Sequence, residues 1–197
     1  MDRITELPVP QKEIGVPLMK ALEKRRSKRK WRNSSLPKQE LSNLLWAACG
    51  ITREETKRSK SRRTAPSAMN SQEIKVYVAL GKGVFLYDEK EHNLRQINSK
   101  DIRKNIGTQK MMQNAPVGLI YVSDFSRLKK YIGKDEERKW VVSGTDTGFI
   151  SQNVYLYCAA TGLNTVILGL VDREKLHEIM GLKKCEKVIY TQVVGKA

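Results

Sequence analysis

Residues 140–162 carry the longest helical pattern in the chain, and that pattern is apolar on more than one side. Phe149, Asn153, Leu156, Tyr157 and Ala160 recur at helical spacing and mark one face, while Ile150, Val154 and Ala159 extend the apolar surface most of the way round. A surface helix needs only one apolar stripe, so a helix of this kind has to be buried on several sides. The 197 residues around it are enough for one domain with a substantial core. A chain that is 40% apolar and 29% charged is too apolar to be disordered. No run approaches the ~18 consecutive apolar residues of a membrane span, so no membrane partner is expected.

The rest of the chain supplies short elements for that wrapping. Residues 1–16 read as an extended arm, because Pro8 and Pro10 oppose a helix. The segment 17–197 reads as a single domain. Leu18, Leu22 and the stem of Arg25 give a first helix over 17–27, opened by Pro17. A second opens at Leu36-Pro37, with Leu41, Leu44, Leu45, Ala48 and Cys49 on its apolar face and Gly50 at its end. Residues 57–64 are polar and aperiodic, hence a loop. Strand patterns follow at 74–80, 84–87 and 93–97, with Gly81-Lys82-Gly83 turning the chain between the first two. Residues 101–114 read as a helix ended before Pro116, and 117–122 as a buried strand. Beyond the central helix come a strand over 166–170, a helix to Met180 capped by Asp172, and a closing strand over 187–194. The fold class is α+β, a small sheet enclosed by helices.

Three constellations could carry chemistry. In Arg25-Arg26-Ser27-Lys28-Arg29, alternate residues of an extended segment point the same way, so Arg25, Ser27 and Arg29 can converge on one anion. Two guanidiniums and a hydroxyl suit a phosphomonoester, although a solvated helix end accounts for the same cations. Arg63-Thr64-Ala65-Pro66-Ser67-Ala68-Met69-Asn70-Ser71-Gln72 combines small residues, which allow close backbone approach, with amides and hydroxyls that bond a heterocycle edge; it also reads as a polar turn. Asp146-Thr147-Gly148-Phe149-Ile150-Ser151-Gln152-Asn153 sets amides into an apolar helix, which close helix packing alone explains. The formal charge of +16 lies largely in residues 24–32 and 53–63, where solvated basic faces, phosphate ligands and nucleic acid are all open readings.

Taken in order, these motifs resemble the nitroreductase superfamily over roughly residues 17–195. Trp46-Ala47-Ala48-Cys49-Gly50-Ile51-Thr52-Arg53, Arg63-Thr64-Ala65-Pro66-Ser67 and Gly83-Val84-Phe85-Leu86-Tyr87-Asp88 resemble its SagB-type branch. The resemblance implies a central, mostly antiparallel sheet enclosed by helices, an intertwined homodimer, and one FMN per subunit at the dimer interface. It also implies NADH or NADPH as electron donor and a small planar acceptor, such as a nitroaromatic or quinone, reduced in a ping-pong cycle. Carried over by position, Arg25, Ser27 and Arg29, with Arg26 beside them, match the residues on the FMN phosphate and ribityl chain. Pro66, Ser67, Asn70 and Ser71 match the segment that reaches the flavin from the partner subunit. Leu168 and Gly169 sit where backbone amides approach the reactive edge of the isoalloxazine. Family members often continue to further basic residues on the phosphate; here only Lys196 could take that part.

No His, Glu or Cys stands out as an acid or base, so no catalytic side chain and no metal ligand is expected, consistent with a cofactor that carries the chemistry. A SagB-type azoline dehydrogenase is the second enzyme reading. Its Lys-Tyr pair before the central helix has Lys139-Trp140 as the nearest match, without the phenol. A basic nucleic-acid-binding module is favoured by charge alone. With 7% aromatics and no helix-turn-helix, zinc-finger or stacking-platform motif that interleaves them with the basic runs, no nucleic-acid partner is expected. Cys49, Cys158 and Cys185 lack metal-like spacing, and free thiols point to a cytoplasmic protein. Residues 1–10 have no signal-peptide core, though an exported mature form would read the same.

Overall fold

The computed structural model describes residues 3–32, 34–109, 115–128, 132 and 134–197. A seven-stranded sheet runs in the order β1-β6-β5-β4-β7-β9-β8, with every pairing antiparallel. Its strands are β1 (Ile4–Glu6), β4 (Ile74–Leu80), β5 (Gly83–Asp88), β6 (Asn93–Asn98), β7 (Val117–Asp124), β8 (Leu163–Leu168) and β9 (Glu186–Lys196). A separate two-stranded hairpin joins β2 (Ile51–Arg53) to β3 (Arg62–Arg63). The helices are α1 (Leu18–Lys24), α2 (Lys38–Cys49), α3 (Glu136–Thr161) and α4 (Arg173–Met180). The expected α+β class, with its antiparallel sheet between helices, is what the chain forms.

Strand alternation explains why both faces of the sheet are covered. Val76, Val78, Leu119 and Tyr121 point to a core shared with α2 and α3. Tyr77, Ala79, Ile120 and Val122 point to a second core with α4, Ile102 and Ile106. Strand β7 is buried along its whole length, as a continuous apolar run between two layers has to be. A polar network crosses this interior. Tyr121 donates to Gln192 Oε1 at 2.6 Å, and Gln192 Nε2 donates to Thr165 Oγ1 at 3.0 Å, so these three side chains satisfy one another.

Several expectations change: the first helix ends at Lys24 and not at 27, and the loop expected over 57–64 includes strand β3. The helix over 101–114 is absent from its described part, where only Arg103–Asn105 forms a single 3-10 turn; residues 110–114 lie outside the described residues. Ile102 and Ile106 have helical spacing and both are buried. However, Asp101 Oδ1 accepts from the backbone N and Nε of Arg103 and closes a local turn instead. The strand expected over 166–170 is β8, which begins at Leu163 and ends at Leu168, before Gly169. The central helix α3 is buried on one half only. Asp146, Ile150, Val154, Cys158 and Tyr155 face inward, whereas Val141, Phe149 and Gln152 are exposed. Among the described residues, no helix is long and apolar enough to cross a membrane.

Candidate functional site

Helix α1 stops at Arg25, whose φ and ψ of −54° and 123° are already extended, and the basic segment then runs along β8. Lys28 N donates to Thr165 O at 3.0 Å, and Asn164 Nδ2 donates to Lys30 O at 2.6 Å. Because β8 is the last strand of the sheet, this segment covers its free edge. The extended backbone sends Arg26 and Lys28 into one cavity, beside Tyr155, and Arg29 into another. That second cavity, about 80 Å³, is also lined by Leu168 and Gly169, so Arg29 meets the two residues at the end of β8.

Tyr155 of α3 organises the cluster, and the sequence reading gave it no role. Its hydroxyl accepts from Ile167 N at 3.1 Å and lies 2.9 Å from Ser27 Oγ, while the Arg25 guanidinium stands 5.5 Å above its ring. Among the described residues, neither Arg25 nor Arg29 has a carboxylate partner within ion-pair distance. Both charges are available to an anion. Arg26 instead donates to the carbonyls of Glu23 and Arg25. Lys196 stands apart. It pairs with Leu163, roughly 17 Å along β8 from Leu168 at 3.3 Å per residue, and its ammonium lies 3.7 Å from Glu40.

Pro66, Ser67 and Asn70 line a different cavity of about 670 Å³, together with Met69, Arg53 and Arg62. The segment is shaped by an unusual backbone. Met69, Asn70 and Gln72 have φ of 52°, 54° and 52°, left-handed values that cost energy for residues with a side chain. Bonds inside the segment hold it there. Gln72 N donates to Ser67 Oγ at 3.0 Å, Gln72 Nε2 donates to Asn70 Oδ1 and Ser61 O, and Asn70 Nδ2 donates to Ser61 O. Ser71 is buried, with its hydroxyl 2.8 Å from Ala68 O and 2.7 Å from Glu73 Oε2, so it acts from beneath. Ala68 N donates to Asp146 Oδ2 at 2.8 Å and ties the segment to α3.

Two of these supports, Glu73 and Asp146, are buried carboxyls that the sequence reading did not single out for a role. A lone acid inside an otherwise apolar helix was the available signal for Asp146. Burial first, and Glu73 beside it, push its carboxyl up to about 7, against the opposing pull of the Ala68 N–H.

The two halves hang from opposite sides of one helix. Asp146 and Tyr155 are nine residues apart, which is two and a half turns and about 13 Å along α3. The exposed half of α3, with Val141 and Phe149, runs between them. Lys139 sits one turn inside the start of the helix, held 2.9 Å from Glu136 and over the Phe125 ring, while Trp140 meets Phe125 edge to face.

The Nitroreductase family matches residues 22–196 of this chain. A nitroreductase homologue from Methanocaldococcus jannaschii is 29% identical over 179 residues, covering 86% of each chain. The crystal structure of a nitroreductase homologue from Ralstonia eutropha JMP134 is 35% identical, with a TM-score of 0.89 over 99% of this chain and 90% of that one. A chain of the E. coli microcin synthetase McbBCD complex, solved with truncated pro-MccB17 bound, has a TM-score of 0.71 over 98% of this chain and 78% of that one. At 16% identity, that likeness is one of fold alone.

Proposed function

Since this chain belongs to the nitroreductase family, and is therefore an oxidoreductase of the flavin-using kind, we propose that it is an FMN-dependent NAD(P)H oxidoreductase that reduces nitroaromatics, quinones or similar planar acceptors. In this reading it is a homodimer, and each flavin lies between the two subunits. Bound there, FMN would supply the two-electron chemistry that links NADH or NADPH to the acceptor.

The observation that carries the reading is the split between the two halves of the site. Arg29, Leu168 and Gly169 line a cavity of about 80 Å³, far below the ~300–1,000 Å³ of an ordinary ligand site. Pro66, Ser67 and Asn70 line a separate surface that is open to solvent. Neither half encloses a flavin, and a second copy set against the exposed face of α3 would close one half with the other.

The residues present fit the cofactor. Among the described residues Arg25 and Arg29 are cations without carboxylate partners, suited to a phosphate dianion, and Ser27 lies between them in the chain. Gly169 is exposed, and among the described residues a Cβ there would meet only Tyr190 at 3.9 Å, so its bare backbone is open to approach. Pro66, Ser67 and Asn70 would meet the ring system from the partner, with Ser71 fixing their backbone from below. Lys196 would stay with Glu40, outside the phosphate contacts.

The visible spectrum of the purified protein tests this directly. We expect oxidised-flavin bands that NADH or NADPH bleaches and a quinone restores. Donor and acceptor use one pocket in turn, so steady-state rates should give the parallel reciprocal plots of a ping-pong cycle. A colourless protein that takes up no added FMN would sink the proposal.

A further inference from the structure

Beneath the segment 67–72 lie two carboxyls that form no ion pair among the described residues. Glu73 is fully buried and Asp146 is 3% exposed; the two accept from neighbouring groups of one loop. After burial itself, Glu73 raises the Asp146 carboxyl both as a nearby charge and as a partner for a shared hydrogen bond. Such a bond needs one of the two to carry a proton, since two carboxylates offer only acceptors. Glu73 Oε1 is buried with no hydrogen-bond partner among the described residues, so a proton shared with Asp146 would satisfy an oxygen that burial otherwise leaves bare. The outer oxygens of the pair hold the loop. Asp146 Oδ2 accepts from Ala68 N, and Glu73 Oε2 accepts from Ser71 Oγ. Three non-glycine residues of that loop are left-handed, a shape that persists only when its surroundings impose it.

We propose that Glu73 and Asp146 are a positioning pair, which by sharing one proton holds residues 67–72 in the shape that meets the flavin and which loosens the loop when that proton leaves. The contact with flavin rests on the function proposed above; the holding of the loop does not. Among the described residues, the charged groups on the surrounding elements are committed elsewhere. On β4, Lys75 binds Asp124 and Glu186. On β3, Arg63 binds Glu89 and the Ile74 carbonyl. On the turn after β7, Arg127 binds the Gln72 carbonyl and lies 3.8 Å from Asp124. From α3 itself, Thr147 is buried with no partner for its hydroxyl among the described residues. None of these offsets a second negative charge at the pair.

The sign of the pH effect follows. Within the closed loop Asp146 holds its proton up to about pH 7, whereas the freed carboxyl returns to its ordinary range near 3.8. Raising the pH between those values therefore favours opening, and above about 7 the effect levels off. Hydrogen exchange at the amides of residues 68–72 in the full chain, corrected for the intrinsic pH dependence of exchange, reads this opening without flavin. Fluorescence quenching of added FMN is followed over the same range.

We expect the opening constant of the wild type to rise up to tenfold per pH unit between pH 5 and 7. Asp146→Asn accepts from Ala68 and donates to Glu73 without a titrating proton, so it should give a flat profile with the loop closed. Asp146→Ala should leave the loop open at every pH and weaken FMN binding. Glu73→Gln makes the same comparison from the other side, should Asp146→Asn fold poorly. A flat wild-type profile, or an Asn variant as open as the Ala variant, overturns the proposal. Loss of FMN binding at every pH, with exchange following the expected pattern, would sink the flavin reading while leaving the latch in place.

Discussion

Arg25 and Arg29 were legible as a pair because an extended segment repeats every two residues, and the structure gives that segment the extended backbone which makes the spacing meaningful. If they hold the FMN phosphate, replacing either with Ala removes a charge-assisted contact of about 1.5–3 kcal/mol and weakens FMN roughly 10- to 100-fold. Riboflavin, lacking the phosphate, should bind variant and wild type alike. Equal FMN affinity in titrations of both proteins would return the two arginines to the solvent. The other half of the site was less legible at this scale. Pro66, Ser67 and Asn70 could be read from composition, but the left-handed turn through Met69, Asn70 and Gln72 could not, because no glycine marks it. The bonds that hold it come partly from far along the chain: Asp146 lies 78 positions from the Ala68 amide whose hydrogen bond it accepts.

At the scale of elements, legibility followed periodicity. Strands β4, β5 and β7 and helices α2, α3 and α4 carry enough turns or alternations to announce themselves. Strand β1 has three residues, too few for a pattern, and exists because the edge of β6 offers it hydrogen bonds. What locks the later strands together is equally non-local. Lys75 on β4 reaches Asp124 at the end of β7, at 3.0 Å, and Glu186 at the start of β9, at 2.6 Å. Burial works against the Lys75 ammonium, but bonds to Glu186 and Asp124 outweigh it and raise its pKa. Burial likewise opposes the Asp124 carboxylate, while Ser126 and Lys75 hold its pKa below the usual range. Lys75→Met leaves two carboxylates facing each other in a largely buried site, and should cost about 3 kcal/mol of stability at neutral pH. The lowered carboxyl contributes stability that is present above pH 3.8 and lost as pH falls through its folded value. The raised ammonium contributes below pH 10.5 and is lost above its own. Denaturant melts should therefore show the largest gap between wild type and variant from about pH 4 to 10, narrowing in acid. A gap that widens in acid would mean that the cluster is not what joins these strands.

For the whole molecule, α3 was expected to be enclosed, yet in one chain half of it faces outward. Its sequence is not at fault. The inward half is lined by Asp146, Ser143, Thr147 and Ser151 as well as by apolar residues, and the outward half keeps Phe149 at 43% and Val141 at 62% exposure. Apolar side chains that stay outside while Ser and Thr go inside are badly placed for a monomer and well placed for an interface. The exposed Leu18, Met19 and Leu22 of α1 and Leu170 beyond β8 extend the apolar surface available to a partner. A single change on that face separates assembly from folding. Phe149→Asp has an exposed position to occupy, so circular dichroism should show the fold intact. If the homodimer forms through α3, a carboxylate buried there without a partner costs several kcal/mol, enough to weaken the dimer at least 100-fold. Because each proposed flavin needs Arg25 and Arg29 from one subunit and residues 66–70 from the other, flavin should leave as the subunits part. Light scattering with absorbance on the same column follows both at once. A folded Phe149→Asp monomer that still carries stoichiometric flavin would show that one chain completes the site alone.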